Sequence, residues 1–340
     1  MVLHESKGGL LPELDPGVRV AAAGLENHLL IPVVAQRLKG ILQRQFVDDS
    51  RSLVTFRLWS SLLAGSLIEA RSRRHFTFAY YEDSDPSSHA RYIRLGRAKQ
   101  RMIGGVFRAG GLVVANTHRV SVAMMKVYGL EQRPRVISPA VDLAALDGIA
   151  AAGSGADGMA RDRPIRIATV GSLIPRKGLD TIYEGLLASG VDCEWHVIGE
   201  GPLRPWLEGL PSDRRVLVRP HGGHPRPYEL VRSMDLLVHG AHSESFGIVL
   251  LEAMAVGTPV LSASAAGPSE MVDVLGNRPE ILSLFAVGDS DALAQALRSR
   301  VAAISETPDR ASMQEYLRPY SVDATTDKWM SLAEDFGCVA

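Results

Sequence analysis

Two glutamates, Glu244 and Glu252, close the stretch ESFGIVLLE with seven residues between them. Gly247 follows Phe246 where an apolar run with helical spacing begins. The backbone N–H groups of Gly247, Ile248 and Val249 are therefore expected at a helix N-terminus, where unsatisfied donors and the dipole suit a phosphate. In a fold of alternating strands and helices, that terminus lies at the carboxyl end of the sheet, where ligands bind. Glu244 precedes the helix beside this anion site. Glu252 lies about one and a half turns inside it, within IVLLEAMAV, an unusual place for a solvated charge. A carboxylate accepts two hydrogen bonds and matches a vicinal diol. One glutamate could hold a hexose and the other a ribose, with a diphosphate between. The plainer alternative is an amphipathic helix with two solvated carboxylates.

A second group of residues fits the same ligand. In GSLIPRKG (171–178) an apolar strand ends and a helix is expected to start at Gly178, with Arg176 and Lys177 at its N-terminus. Cations there oppose the helix dipole by a few tenths to ~1 kcal/mol, a placement that makes sense around an anion. The alternative is a pair of exposed loop cations near Asp180. The chain has 31 arginines and only 6 lysines, and Lys177 is the sole lysine between Lys126 and Lys328. Glycine turns at VIGEGP (197–202), PHGGHP (220–225) and AAGPSE (265–270, with Glu270 at its end) allow close backbone approach, or mark ordinary loops. No G-x-S-x-G, H-E-x-x-H or Walker pattern occurs, and GEG at 199–201 lacks the later glycine of a dinucleotide fingerprint.

The elements that must position these residues read as α/β. Strands at 166–173, 193–201, 215–220, 235–241 and 259–264 alternate with helices at 178–189, 202–210, 228–234, 246–257 and 289–304. That alternation means a parallel sheet with helices on both faces. The first half is less regular. Strands are expected at 18–24, 52–59, 75–81, 111–116 and 135–142, and helices at 26–46, 87–107 and 121–129, with no opening strand and glycine-rich loop near residue 1. The Ala-, Gly- and Asp-rich stretch 144–164 reads as a linker with a short helix at its start.

At 340 residues the chain suits two domains. Its 46% hydrophobic and 22% charged residues exclude disorder, and no apolar run is long enough to span a membrane. The N-terminus shows no secretory pattern. Cys193 and Cys338 match no metal spacing, and Cys193 is expected as a buried thiol. The net charge of −1 conceals an asymmetry, +7 over residues 1–150 and −8 over 151–340. Neither half has the basic and aromatic character of a nucleic-acid binder. Within 91–108, Arg91, Arg94, Arg101 and Arg108 fall near one helix face. Such a face could meet anionic lipid or a phosphorylated acceptor, or simply be solvated.

Taken in order, VGSLIPRKGLDT, HVIGEGP, the glycine turn at His221 and Gly222, MDLLVHGAHSESFGIVLLEAMAVGTPV and GPSEMV resemble the retaining GT-B glycosyltransferases called family 4. The resemblance is specific across roughly 165–305, and GGLVVANTHRVSVAMMKVYGL and RVISPAVD are similar to the end of that family's N-terminal domain. It implies GT-B architecture: two Rossmann-like lobes with a cleft between them. The expected divisions are a truncated acceptor-side lobe over 1–143, the linker 144–164, a nucleotide-sugar lobe over 165–314, and a segment 315–340 whose helix returns to the first lobe. By the same resemblance Glu252 binds the ribose diol and Glu244 contacts the donor hexose. Lys177 and the amides after Phe246 hold the diphosphate, with Gly171, Ser172 and Arg176 beside them and Glu244 and Lys177 in the catalytic roles.

The implied donor is a nucleoside diphosphate sugar, a UDP-sugar in preference with a GDP-sugar as the alternative, and no cofactor and no metal. The acceptor is a hydroxyl on a glycan, a lipid-linked sugar or a small molecule. Nucleic acid is not an expected partner, and the place of action is cytoplasmic or peripheral at the inner membrane face. Several positions depart from the family pattern, among them Pro139-Ala140-Val141-Asp142 in place of N-G-V-D. Ser172 stands where arginine is common, and FTFAYYED puts Tyr80 or Tyr81 where a histidine commonly faces the acceptor. The competing reading is a nucleotide-sugar-binding or partner subunit with a degraded acceptor lobe.

Overall fold

The computed structural model describes residues 2–3, 21–22, 35–36, 39–40, 52–56, 65–67, 76–88, 96–109, 111–150, 163–211 and 213–338. The chain forms two compact units, Met1–Ile137 with Asp327–Ala340, and Ser138–Thr326.

In the first unit, strands β1 (Val2–Leu3) and β2 (Ala21–Ala22) pair in parallel. Strands β3 (Ser52–Phe56), β4 (Phe76–Glu82), β5 (Leu112–Ala115) and β6 (Arg135–Val136) form a parallel sheet in that order. Helices α1 (Gly96–Arg108) and α2 (His118–Tyr128) connect successive strands. Right-handed crossovers between neighbours taken in sequence put both helices on one face. There Phe56, Phe78 and Tyr80 pack with Ile103, Val106, Phe107, Met124 and Tyr128. The pleat sends Tyr81 to the opposite face, among Ala79, Val114, Ile137 and Leu332.

The second unit carries the regular pattern. It comprises α3 (Leu143–Ala150), β7 (Ile165–Val170), α4 (Leu179–Ser189), β8 (Cys193–Ile198), α5 (Arg204–Glu208) and β9 (Val216–Gly222). These are followed by α6 (Tyr228–Val231), β10 (Leu236–His239), α7 (Ile248–Ala255), β11 (Val260–Ala263), α8 (Ala266–Leu275) and β12 (Leu282–Phe285). Helices α9 (Ser290–Ala302) and α10 (Arg310–Tyr316) complete it, and α11 (Val322–Asp335) enters the first unit at Asp327. The sheet order is β12-β11-β10-β7-β8-β9, all parallel. Every residue of β10 and β11 is buried, which is why these strands read as continuous apolar runs. Leu250, Leu251, Met254 and Met313 cover one face, and Leu179, Ile182, Leu186, Leu293 and Leu297 the other. The chain runs outward from β7 through β8 and β9, then returns to lay β10 on the other side of β7. This reversal opens a crevice between the loops that leave β7 and β10.

Several expectations are corrected. AAGPSE is the first turn of α8 rather than a loop. Pro268 fits there because its missing N–H is one that a first helical turn leaves unsatisfied. The short strand β12 is added beyond GPSEMV. The last strand of the first unit is only Arg135–Val136, with an isolated bridge from Val141 to Ser321. A short opening strand, Val2–Leu3, exists where none was expected. The two units divide after Ile137, and the residues from Asp327 onward belong to the first unit. Most of the helix expected at 26–46, residues 89–95 of the basic helix and residues 151–162 of the linker lie outside the described residues. Cys193 is the buried thiol expected, its pKa pushed up to about 12 by burial, and both cysteines are free.

Candidate functional site

The crevice between β7 and β10 is built by pressing two loops together. The β7 loop passes through a short 3-10 turn, Pro175–Lys177, and reaches α4 through Gly178. Gly178 has φ 62°, and a Cβ there would lie 2.2 Å from the carbonyl oxygen of Gly240. Only glycine permits both that backbone and that approach. The loops are then tied together. Arg176 Nη1 donates to Ser243 O at 2.6 Å, and His242 N donates to Arg176 O at 2.9 Å. Arg176 and Lys177 thus precede the helix within a turn of their own rather than opening it. Gly171, at φ 147°, holds a backbone conformation that other residues rarely adopt, and the Lys177 stem passes beside it.

The result is a close ion pair across the crevice, with Lys177 Nζ 2.6 Å from Glu244 Oε2. The two side chains are 17% and 13% exposed. His239, at the end of β10 and only 2% exposed, places Nε2 3.3 Å from the same oxygen, with an alignment that falls short of a hydrogen bond. Burial alone would raise the pKa of Glu244. His239 and the Lys177 ammonium outweigh it and hold the carboxyl well below the usual range, so Glu244 is charged. Burial lowers the pKa of His239, against the pull of Glu244, so the imidazole is neutral at pH 7. Among the described residues Glu244 Oε2 is engaged and Oε1 is left to accept other donors.

Helix α7 starts beside this pair. Gly247 precedes it at φ 92°, and no side chain caps the terminus. The loop carrying Phe246 is held from behind, because a Cβ on Gly267 would sit 2.3 Å from Phe246 O, and Gly267 N donates to Glu244 O at 2.9 Å. Phe246 is buried edge-on against Tyr320, centroids 5.5 Å apart. Ile248 is exposed and Val249 half-buried at the open end of the helix. Glu252 is half-buried and makes no hydrogen bond or ion pair among the described residues, and burial raises its pKa. Ser172 is exposed on the β7 loop, without a side-chain hydrogen bond among the described residues.

The structure therefore brings Gly171, Arg176, Lys177 and Glu244 together. Sequence reasoning missed His239 and His242, the latter 3.3 Å through Nε2 from Thr181 Oγ1. Both lie in VHGAHSES, and the visible signal was two histidines bracketing the loop before Glu244. The acceptor-side expectation is corrected. Tyr80 and Tyr81 are 0% and 1% exposed. Tyr80 stacks on Phe56, and Tyr81 donates its hydroxyl to Ile137 O at 3.0 Å, so both are packing residues. The polar group at that strand end is Glu82. It accepts from Ser84 N at 3.1 Å, Ser84 Oγ at 2.5 Å and Tyr128 Oη at 3.0 Å.

Residues 164–302 match the family described as glycosyl transferases group 1. Among curated proteins, a D-inositol 3-phosphate glycosyltransferase of Salinispora arenicola is 29% identical over 271 residues, covering 70% of this chain and 58% of that protein. The lipopolysaccharide glucosyltransferase WaaG of Escherichia coli is 31% identical over 171 residues, covering 48% and 43%. The chain spans 39% to 58% of the length of the first curated relatives it matches. HepE of Anabaena, solved with UDP-glucose, superposes with a TM-score of 0.73 at 18% identity, covering 94% of this chain and 86% of that one. Sucrose-phosphate synthase of Thermosynechococcus elongatus gives 0.75 at 16% identity, covering 98% and 87%. At such identities the likeness is one of fold, the GT-B glycosyltransferase fold.

Proposed function

We propose that the chain is a metal-independent, retaining glycosyltransferase that moves a hexose from a nucleoside diphosphate, UDP in the first place, to a hydroxyl acceptor. The observation that carries this reading is the Lys177–Glu244 pair at the point where the strand order reverses, beside the uncapped start of α7. The diphosphate lies against the amides of Gly247, Ile248 and Val249, with Lys177 and Arg176 beside it. Glu252, without a hydrogen-bond or ion-pair partner among the described residues, accepts from the ribose diol. Glu244 uses Oε1 for a hexose hydroxyl while Lys177 holds Oε2. As the glycosidic bond breaks, negative charge grows on the diphosphate, and the ammonium and helix terminus are already in place to stabilise it. The acceptor attacks on the face the diphosphate leaves, and the departing phosphate takes its proton, so no protein nucleophile is required. The complexes of HepE with UDP and UDP-glucose support the choice of donor. An acceptor on a glycan or lipid-linked sugar, and action in the cytoplasm or at the inner face of a membrane through the basic helix, belong to the same reading.

Titration calorimetry with UDP and GDP tests the donor site. Release of UDP from UDP-hexoses, with and without acceptor extracts and with a chelator present, tests transfer. UDP binding with acceptor-dependent release supports the enzyme. The burial of both Tyr80 and Tyr81 favours one alternative, a subunit that binds the nucleotide sugar without transferring it, and UDP binding with no release under any acceptor would establish that alternative.

A further inference from the structure

Strand β10 reads LLVH, and all of it is buried. Its first three residues are apolar. The last, His239, is 2% exposed, and its Nε2 has no hydrogen-bond partner among the described residues. A leucine would fill such a place with no polar atom to satisfy. The pleat turns His239 to the side of the sheet that carries Leu237, the side covered by α7. There Nε2 faces Glu244 Oε2 at 3.3 Å. A carboxylate oxygen repels a ring lone pair. The neutral imidazole therefore keeps its proton on Nε2 and aims an N–H at that oxygen. The oxygen is already held by Lys177 Nζ at 2.6 Å.

The three groups differ in their freedom to move. His239 sits in a strand paired on both sides, to β7 and to β11. The backbone at Glu244 is pinned twice, by Arg176 Nη1 donating to Ser243 O at 2.6 Å and by Gly267 N donating to Glu244 O at 2.9 Å. Lys177 reaches the same oxygen on a flexible four-carbon stem with three rotatable donors. A diphosphate in the crevice carries more negative charge than one carboxylate and competes for the ammonium, which is the mobile partner. We propose that His239 is a positioning residue that takes over Glu244 Oε2 when a bound diphosphate draws the Lys177 ammonium to its own oxygens. This exchange rests on the donor reading above and adds a step to it. In the empty crevice Lys177 fixes the carboxylate. In the loaded crevice the Nε2–H closes to hydrogen-bond distance, about 2.9–3.0 Å, and Oε1 keeps its aim at the hexose. No proton changes atoms, because the imidazole donates the N–H that it already carries.

NMR of the full chain, labelled with heavy nitrogen at histidine, reads the exchange directly, and the His239→Gln spectrum assigns the signal. Saturating UDP is expected to move the His239 Nε2–H proton downfield as its hydrogen bond forms. Lys177→Ala without any ligand is expected to move it the same way, since the ammonium is gone and Oε2 is left to the imidazole. Kinetics read the consequence. His239→Leu is expected to leave UDP affinity at the parent value, because the imidazole does not touch the nucleotide. It is expected to lower kcat with UDP-glucose by about tenfold, short of the roughly hundredfold of a reacting group misplaced by ~1 Å, with KM nearly unchanged. His239→Gln, whose amide nitrogen can stand where Nε2 stands, is expected to recover most of the lost kcat. With Glu244→Gln already present, His239→Leu is expected to lower kcat no further, because His239 acts only through that carboxylate. A His239 signal unmoved by bound UDP overturns the proposal. So does a parent-like kcat in a His239→Leu chain that unfolds at the parent temperature. So does an equal loss of kcat in His239→Leu and His239→Gln, which marks a packing residue. If the parent chain binds no UDP, the donor reading falls. The exchange of partners is then decided by Lys177→Ala alone, where a downfield Nε2–H supports it and an unmoved one overturns it.

Discussion

Each unit buries one carboxylate near the carboxyl end of a parallel strand, and the two are treated in opposite ways. Glu82 ends β4 in the first unit and is 4% exposed; Glu244 follows β10 in the second, its side chain 13% exposed. Glu82 is surrounded by hydroxyl and amide donors, Ser84 and Tyr128, with Asp83 adjacent and no cation among its described partners. Burial dominates, and its pKa rises. Glu244 meets an ammonium at 2.6 Å and an imidazole at 3.3 Å, and its pKa falls. Burial alone therefore does not mark a charged site. The partner decides whether the carboxylate is a ground-state anion fit to receive a sugar hydroxyl or a hydrogen-bonded corner of the core.

The largest effect expected is that of Lys177→Ala. Removing one member of a buried pair leaves the other charge uncompensated, at a cost of about 3–5 kcal/mol. Some of this is relieved by the crevice being open to water. Urea unfolding should show that loss, and Lys177→Ala combined with Glu244→Gln should recover much of it. The same lysine is expected to contribute ~1.5–3 kcal/mol to nucleoside diphosphate binding. Calorimetry on Lys177→Ala that matched the parent would remove it from the donor site.

Glu244→Gln separates folding from chemistry. Nucleoside diphosphate binding should be nearly intact, because that ligand has no hexose. Turnover with the full donor should fall by roughly a hundredfold, the scale of a reacting group misplaced by ~1 Å. Glu252→Gln should do the reverse and weaken the bare nucleotide by ~1 kcal/mol or more, since the diol loses a charged acceptor. The carboxyl of Glu252 titrates above its ordinary value, so nucleotide affinity should fall as pH drops toward that raised pKa. In Glu252→Gln this component of the pH profile should vanish. Equal weakening of the bare nucleotide by both glutamine variants would refute the two-pocket assignment.

Much of the second unit was legible because its physics is local. Continuous apolar strands, glycine exits and helices with residues such as Leu179, Ile182 and Leu186 at helical spacing each signal themselves within a dozen residues. Lys177 and Glu244 were both readable as ligands, but not as a pair. Their contact spans 67 positions and depends on β10 returning to lie beside β7, which no spacing announces. His239 was hidden because one histidine at the end of LLVH looks like any strand residue. Tyr80 and Tyr81 were misread for a related reason. Alternation puts them on opposite sheet faces, and here both faces are covered, so neither side is open. Tyr81→Phe should accordingly cost only the hydrogen bond to Ile137 O, about 0.5–1.5 kcal/mol by urea unfolding, with donor hydrolysis unchanged.

The smallest effect expected is that of Glu82→Gln, and it tests the comparison most directly. A glutamine keeps the carbonyl oxygen that accepts from Ser84, and its amide can donate to the Tyr128 hydroxyl, so it copies the protonated acid. Because the pKa of Glu82 in the folded chain lies above its unfolded value, the native state binds the proton more tightly. Glu82 therefore weakens stability at pH values above its folded pKa, where the charge must stay buried. That penalty fades as pH falls through the folded pKa toward the unfolded one. Glu82→Gln removes the penalty, so at pH 7 the variant should be as stable as the parent or slightly more so, and the difference should close as the solution is acidified. Glu244 has the opposite sign. Its depressed pKa adds stability above the ordinary carboxylate value of about 4.3, and that stability is lost as pH falls through the folded pKa. Glu244→Gln should be less stable than the parent at pH 7 and should converge with it only in strong acid. Paired urea titrations of the two variants from neutral to acid pH read both slopes. Slopes of the same sign would mean that Glu82 has a cation within reach, or that Glu244 has lost its own, and the contrast between the two buried carboxylates would fail.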